Sequence, residues 1–450
     1  MKYNFAAKKV LIMGLGRFGG GADVAEFAAR AGAKVIVTDL APAAQLSDSI
    51  GKLEEFPDIE FHLGSHDPAD FKQADIIIAN PAVPCDNEFL EIARRDNKFI
   101  TSQINIFFEL CPAQIIGITG ANGKSTTTAL TAHLLKNTIY ENVWLSGNIG
   151  NQPLLTVIEK IAPDDLVVLE LSSFQLEQLA EIQKAPNVAL LTNLTPNHLD
   201  RHGTFANYCA AKENIFKFQK LNDNYPAVSI FNAEDKIAAE WFEKYNKDAG
   251  RICFRFSTDD VSKEIRDSFT LPGRANLSNL AAAIAIAKYF GIDDDRIKNS
   301  LPDFKPLPHR LELIGQINGV SWYNDSIATT PQSAIAALEA FDQPKIIIAG
   351  GYDKGLPFDE LGQKIATNVK AAILIGQTAS KIASEIQLFP EASAKIQIVN
   401  SLSEAVRSAA RLAESGDIVL LSPACASYDM FDNFQHRGEQ FCKLVRALNI

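Results

Sequence analysis

Short runs rich in Val, Ile and Leu recur along nearly the whole chain, each followed by a stretch whose apolar positions have helical spacing. The first runs are KKVLIMG, AKVIVTD, ADIIIANP and KFITS; a longer set follows with QIIGITG, LVVLELSS, VALLTNL and AVSIFN, then a helix over Leu277 to Phe290. A last set begins with a hairpin around Asn318-Gly319 and continues through KIIIAGG, AAILIG, IQIVN and DIVLLSP. Strands alternating with helices predict parallel sheets covered on both faces, so the class is α/β. One boundary is expected near Ser102 to Asn105, where a new strand series begins. A second is expected in LPDFKPLPHR, where three prolines in ten residues remove backbone donors and fix φ. The expected domains are 1–104, 105–306 and 307–450, with no internal repeat.

Composition narrows the function classes. At 450 residues the chain holds about three domains of roughly 150 residues each, and 47% apolar residues supply material for packed cores. The 43 basic and 54 acidic side chains leave a net charge of −11, opposite to the footprint of a general nucleic-acid binder. No nucleic-acid partner is expected, and any polyanionic ligand must be held locally. Six cysteines (Cys85, Cys111, Cys209, Cys253, Cys425 and Cys442) lack CxxC spacing, and no charged, apolar leader opens the chain, which predicts a reduced, cytoplasmic protein. No apolar run approaches the ~20 residues that cross a bilayer, so no membrane partner is expected.

The strand QIIGITG runs through a glycine turn into the helix of KSTTTALTAHLL, the context that a phosphate-binding loop requires. Gly120 and Gly123 let backbone N–H groups approach phosphate oxygens, Lys124 supplies a point charge, and Ser125 offers a hydroxyl to Mg²⁺ at the positive end of the helix. Asn122 and Thr126 complete the candidate loop. It is a variant of GxxxxGK[ST], because the position four before Asn122 is Ile118 and glycine falls at Gly117 and Gly120. ATP or GTP is the working ligand. Upstream, VLIMGLGRFGGG carries GxGxxG at Gly14, Gly16 and Gly19 after a strand, and Asp39 closes the next one, the spacing of a Rossmann fingerprint. Alone it would suggest NAD. With a nucleotide loop in the next domain and a first unit too short for a full dinucleotide fold, a different diphosphate is expected.

In chain order, the phosphate loop, SGNIG, LELSSFQLE, HLDRH, YCAAKENIF, LPHRLE, NDSIATTP, GGYDKG and SPACASYDMFDNFQHRGEQF resemble the Mur ligases of peptidoglycan synthesis over essentially the whole chain. The resemblance implies an N-terminal Rossmann-like UDP-binding domain, a central P-loop ATPase domain and a C-terminal Rossmann-like glutamate domain. It also implies ATP-dependent ligation of D-glutamate to UDP-N-acetylmuramoyl-L-alanine through an acyl phosphate, by a cytoplasmic monomer with ATP and two Mg²⁺ sites. Such chemistry brings anions together. Two like unit charges at about 4 Å repel by about 4 kcal/mol at an effective dielectric of about 20, so cations must neutralise the approach.

The resemblance assigns roles residue by residue. Ser125 and Glu170 suit one Mg²⁺, and His198 with Lys212, converted by CO₂ to a carbamate, suits a second. Asn276 and Asn279 match an adenine-reading pair, and Arg310 and Asp325 match residues that reach the nucleotide from the third domain. Leu15, Gly16, Arg17, Asp39 and Asn80 fall where the family holds uridine and diphosphate; Asn148 and His198 fall at the muramoyl side. Lys354, Ser427 and Phe434 match the glutamate pocket. Without the resemblance, Lys212 reads as a solvated helix lysine, His198 as a capping or packing histidine, Lys354 as turn chemistry, Ser427 as a cap and Phe434 as core.

Several positions depart from the family pattern. NPAVP stands where SPG is usual, Ile327 where many relatives carry lysine, Ala275 where histidine is common and Asn197 where aspartate is common. Other readings stay open at this point: the same chemistry with L-glutamate or another acceptor such as a folate, an NAD-dependent oxidoreductase built on Gly14, Gly16, Gly19 and Asp39, or a nucleotide-gated binding module.

Overall fold

Each apolar run becomes a strand because burial on both faces rewards an unbroken Val, Ile and Leu sequence. The computed structural model describes residues 4–17, 19–136, 140–149, 153–221, 226–389 and 394–449; Gly150, the last residue of the SGNIG segment, lies outside them. The first sheet contains β1 (Lys9–Met13), β2 (Lys34–Asp39), β3 (Glu60–Leu63), β4 (Ile76–Ala79) and β5 (Phe99–Thr101) in the order β3-β2-β1-β4-β5, all parallel. The second contains β6 (Gln114–Thr119), β7 (Val143–Gly147), β8 (Leu166–Glu170), β9 (Val188–Leu191), β10 (Ala227–Asn232) and β11 (Arg251–Phe256) in the order β11-β10-β9-β6-β8-β7, again all parallel.

The third sheet is formed by β12 (Glu312–Ile317), β13 (Val320–Asn324), β14 (Lys345–Ala349), β15 (Ala371–Leu374), β16 (Lys395–Ile398) and β17 (Ile418–Leu421), in the order β12-β13-β17-β14-β15-β16. Its one antiparallel pair is β12 with β13, joined at Asn318 (φ 52) and Gly319 (φ 78), the left-handed pair that a two-residue hairpin turn needs. Strands β3 and β11 have their apolar residues interrupted by polar ones, and β7 has only the short run Val143 to Leu145. All three are edge strands with partly exposed faces, so the hydrophobic pattern that reveals a central strand is missing from them. The helix expected over Leu277 to Phe290 runs over Arg274–Tyr289, starting directly after Gly273 (φ 88).

The chain packs as two compact units, residues 1–262 with 279–300 and residues 263–278 with 301–450. In the first unit, the first two sheets share a single core. Ile12, Val37 and Ile78 of one sheet and Val167, Leu169 and Ala189 of the other belong to it, together with Phe107 and Phe108 of the helix Gln103–Leu110. The second unit has a core on each face of its sheet, one around Ile347, Leu361 and Leu420 and one around Trp322, Ile348 and Phe441. All six cysteines are free thiols. No helix among the described residues is long and apolar enough to cross a membrane. Because Phe107 is fully buried in the core shared by the first two sheets, Phe107→Ala is expected to destabilise the first unit by about 3–5 kcal/mol. Hydrogen exchange in dilute urea should accelerate across β1 to β9 and stay unchanged in β12 to β17; uniform acceleration, or none, contradicts the shared core.

Candidate active site

The central site sits at the carboxyl ends of three adjacent strands, β8, β6 and β9. Pairing of Ile118 with Glu170 and of Thr119 with Leu191 brings their following loops to one level. After β6 the chain turns through Gly120 (φ 150) and Gly123 (φ 80) into the helix Lys124–Leu135. A Cβ on Gly120 would lie 1.9 Å from Thr192 Oγ1, and one on Gly123 would lie 2.1 Å from Asn279 Oδ1, so close approach and backbone angle both demand glycine. Asn279 Oδ1 also accepts from Thr127 Oγ1 (3.3 Å), which puts this asparagine on the loop.

The loop is braced from β9. Ala121 N donates to Asn193 O (2.8 Å), Asn122 N to Asn193 Oδ1 (3.0 Å) and Thr192 Oγ1 to Asn122 O (2.7 Å). Motif reasoning passes over Thr192 and Asn193, whose only signal is a polar pair closing an apolar strand. Lys124 Nζ reaches back to Ala121 O (2.9 Å), and Thr126 is half-buried in the first helical turn. Ser125 Oγ donates to Glu170 Oε2 (2.5 Å), while Asn148 Nδ2 donates to Glu170 Oε1 (3.2 Å) and Asn148 N to Glu170 O (2.9 Å). The buried hydroxyl and carboxylate expected to share a cation are thus in direct contact, with Asn148 on the other carboxylate oxygen.

Lys212, in the helix Phe205–Lys217, is 1% exposed, so it is not a solvated helix lysine. Its Nζ donates to Thr119 Oγ1 (3.1 Å) and lies 5.0 Å from the centre of the Tyr208 ring. Burial first, then the charge of Lys124, holds its amine well below the ordinary lysine range, and the attraction of Glu170 only partly offsets them. His198 precedes the short helix Leu199–His202 with φ 51, and its ring meets Phe174 edge-on at 5.2 Å. Although its side chain reaches solvent, surrounding protein and then the charge of Lys124 lower its basicity. Asn197 Oδ1 accepts from His198 N (2.9 Å), so the residue at that departure from the pattern shapes the turn carrying the histidine.

No group of three His, Cys, Asp or Glu side chains converges on one point among the described residues. The Ser125 hydroxyl and the Glu170 carboxylate offer a pair of hard oxygen donors. The pair fits Mg²⁺, which takes one or two protein oxygens and completes its shell with water and phosphate.

In the first sheet, the candidate residues gather where the strand order reverses between β1 and β4. Asp39 spends both oxygens on backbone: Gly16 N donates to Oδ2 (3.0 Å) and Ala41 N to Oδ1 (2.8 Å). It therefore holds the glycine turn in shape. Asn80 Nδ2 donates to Gly14 O (3.3 Å), and a Cβ on Gly14 would come within 2.8 Å of Asn80 Cβ. The Leu15 side chain is fully buried, so only its backbone can meet a ligand; Arg17 is exposed and donates to Gln45 Oε1.

In the second unit, β13, β17 and β14 lie side by side, and their carboxyl ends bring Asp325, Ser422 and Gly350 together. Arg310 sits between two left-handed residues, His309 (φ 64) and Leu311 (φ 43). Leu311 N donates to Asp325 Oδ1 (3.2 Å) and Ser422 Oγ to Asp325 Oδ2 (2.8 Å). Burial nevertheless pushes the Asp325 carboxyl up to about 7, with those bonds and the charge of Arg310 opposing. Ile327, half-buried, donates through its N to His309 O (3.2 Å). Asn276 Nδ2 donates to Pro272 O (2.8 Å), an interaction local to the start of its helix.

Lys354 is exposed on the loop after β14, and Ser427 is buried, with its carbonyl accepting from Phe431 N (2.8 Å). Phe434 opens the helix Phe434–Arg446, and its carbonyl accepts from Ser326 Oγ (2.8 Å). The residue that motif reasoning missed here is Arg437. Buried to 1%, it donates to Ser326 Oγ (3.0 Å), Ser326 O (2.8 Å), Cys425 O (3.1 Å) and Ala426 O (3.3 Å), tying the Asn324–Ser326 turn to the Cys425–Ser427 loop.

Comparisons with known proteins identify the family. Residues 8–102 match the family model of the Mur ligase MurD-like N-terminal domain, 118–287 the Mur ligase middle domain and 309–425 the Mur ligase glutamate ligase domain. The chain is 41% identical to a UDP-N-acetylmuramoylalanine–D-glutamate ligase of Roseiflexus sp. over 98% of this chain and 99% of that one. It is 39% identical to one from Acetivibrio thermocellus over 98% and 97%. Its fold is similar to the crystal structure of UDP-N-acetylmuramate-alanine ligase from Thermotoga maritima (TM-score 0.62, 19% identity, 98% and 100% covered). It also resembles MurF ligase from the same organism (TM-score 0.58, 18% identity, 100% and 100% covered).

The elevated Asp325 titration carries a stability signature. Between its ordinary value of 3.8 and about 7, the folded chain binds more protons at this site than the unfolded chain. Stability therefore falls as pH rises through that window, and the deficit is absent below it and complete above it. Asp325→Asn is expected to gain stability relative to the parent as pH is raised from 4 to 8, read from urea midpoints of hydrogen exchange in β13, β14 and β17. A difference that stays flat across the range contradicts the buried, hard-to-ionise carboxyl.

Proposed function

The chain belongs to the Mur ligase family, and from that premise we propose that it joins D-glutamate to UDP-N-acetylmuramoyl-L-alanine, converting ATP to ADP and phosphate in peptidoglycan precursor synthesis. The observation that carries the reading is the buried contact between Ser125 and Glu170 beside a glycine loop and Lys124, in a chain matched end to end by glutamate ligases. In the first step, an oxygen of the alanyl carboxylate attacks the γ-phosphorus, the bond to ADP breaks, and ADP leaves with its electron pair. In the second, the deprotonated amine of glutamate attacks the acyl carbon, phosphate departs with the C–O electrons, and the nitrogen gives up a proton to leave the amide.

The residues divide this work. Gly120, Asn122, Gly123, Lys124, Ser125 and Thr126 bind the triphosphate; Asn276, Asn279, Arg310 and Asp325 serve the rest of the nucleotide and, with Lys124, the charge developing in transfer. Leu15, Gly16, Arg17, Asp39 and Asn80 seat the UDP end, Asn148 and His198 the muramoyl end, and Lys354, Ser427 and Phe434 the incoming glutamate. Ser125 and Glu170 would hold one Mg²⁺, and His198 with carbamylated Lys212 a second; each ion, when bound, supplies charge neutralisation at the phosphate oxygens. The depressed basicity of Lys212 supports the carbamate: a neutral amine adds to CO₂ and loses a proton, turning a buried cation-former into an anion. The reading divides the chain at 104 and 306 and has it act as a cytoplasmic monomer on these three small molecules.

Purified protein given ATP, Mg²⁺ and UDP-N-acetylmuramoyl-L-alanine should release phosphate on addition of D-glutamate, with a product heavier by one glutamyl residue, and none with L-glutamate. Absence of phosphate release with either enantiomer defeats the assignment. Lys212→Ala is expected to lose nearly all turnover and to recover part of it in short carboxylic acids, which stand in for the carbamate. Full activity of the unrescued variant rules that role out.

A further inference from the structure

The helix Gly20–Arg30 carries an acid that no motif assigns. Its buried face is Ala22, Val24, Ala25 and Ala28, yet Asp23 stands among them at 8% exposure. A carboxylate there is tolerated only if its oxygens are satisfied, and five donors converge on it. Gln103 Nε2 (2.6 Å), Leu154 N (3.2 Å) and Leu155 N (2.8 Å) donate to Oδ2; Thr156 N (3.0 Å) and Thr156 Oγ1 (2.7 Å) donate to Oδ1. Three of the five are successive backbone amides on the stretch between β7 and β8. The same stretch is pinned at its other end by Ser146 Oγ donating to Pro153 O (2.9 Å) and by the two bonds from Asn148 to Glu170. Gln103 opens the helix that leads from the first sheet to the second.

We propose that Asp23 is a positioning residue: it sets the span between the glycine turn that precedes its helix and the Asn148–Glu170 end of the site, and so where the nucleotide sugar's carboxylate meets the γ-phosphate. The inference rests on the ligase reading above. An apolar residue would pack this helix face equally well, whereas only an anion can gather three backbone amides, a hydroxyl and an amide at once. The Asp23 carboxylate takes no part in the bonds of the glycine turn, which meets this residue only through Asp23 N donating to Gly19 O (2.9 Å), or in those of the phosphate loop, so each should keep its own ligand when the carboxylate is lost. What is lost is their registration, and a misplacement of about 1 Å can cost about 10²-fold in rate.

Asp23→Asn keeps the size but turns one acceptor into a donor facing N–H groups. It is expected to lower kcat by about 10- to 100-fold while UDP binding, measured by calorimetry, and the KM for ATP stay within about twofold. An unchanged kcat, or a kcat, UDP affinity and ATP KM that all deteriorate together, overturns the positioning role. Thr156→Val, which removes one side-chain donor and spares the backbone amides, is expected to show the same split with a loss of about threefold; it decides the matter if Asp23→Asn does not fold, and an unchanged kcat there overturns the proposal. A parent protein that makes product beside an unaffected Asp23→Asn sinks this inference alone, whereas a parent that makes none sinks the ligase reading.

Discussion

The pairing of Ile118 with Glu170 across β6 and β8 is the constraint on which the central site depends. It sets a buried carboxylate against the hydroxyl that opens the phosphate-loop helix, at the place where helix dipole and loop amides converge. A one-residue slip of β8 would turn Glu170 to the opposite face of the sheet and leave the loop without its acid. Because the chain carries a net charge of −11, nothing in its overall field draws a polyanion inward. Any attraction for phosphate must be local, and at this loop the sheet register concentrates backbone amides, Lys124 and the Ser125 and Glu170 oxygens.

Four buried ionisable groups divide in two ways: two are saturated with hydrogen bonds and two are pushed toward their neutral forms. Asp23 and Arg437 take the first course, one drawing five donors and the other giving to four oxygens of two loops. Arg437 stays cationic at neutral pH even though burial lowers it to about 10. Lys212 and Asp325 take the second, the amine driven toward its neutral form and the carboxyl toward protonation. The saturated pair holds loops together, and the destabilised pair has chemistry in reserve. Lowered basicity favours the free amine at Lys212, and a carboxyl poised near 7 responds to whatever charge approaches it.

Backbone strain falls at some of the same places, as well as away from them at Ala7, Asn97 and Gln183. His198, His309 and Leu311 adopt left-handed angles that cost a non-glycine residue on the order of 1 kcal/mol or more, and two of them bracket Arg310. Such conformations persist only where surrounding contacts over-determine them. Around Arg310 those contacts are visible: His309 N donates to Glu312 Oε2, its ring nitrogen meets Asn324 Nδ2, and a Cβ on Gly438 would come within 2.2 Å of that ring. The helix of the C-terminal motif thereby governs the backbone that presents an arginine more than a hundred residues away in sequence.

The α/β class, the central strands, the Asn318-Gly319 hairpin and both glycine turns were legible from the amino-acid sequence, because each depends on local periodicity or on backbone angles that only certain residues adopt. Ser125, Glu170 and Lys212 could be singled out through motifs, but their contacts could not, since adjacency of β6, β8 and β9 arises from strand order. Edge strands β3, β7 and β11 escaped because one-sided exposure interrupts or shortens the apolar run. Thr192, Asn193, Arg437 and Asp23 escaped for a further reason: their bonds span tens to more than a hundred residues, and a single asparagine or aspartate looks the same whether it faces water or gathers a buried loop. The burial of Lys212 is the sharpest instance, for only packing decides whether a lysine on a helix is a solvated cation or a buried amine of lowered basicity.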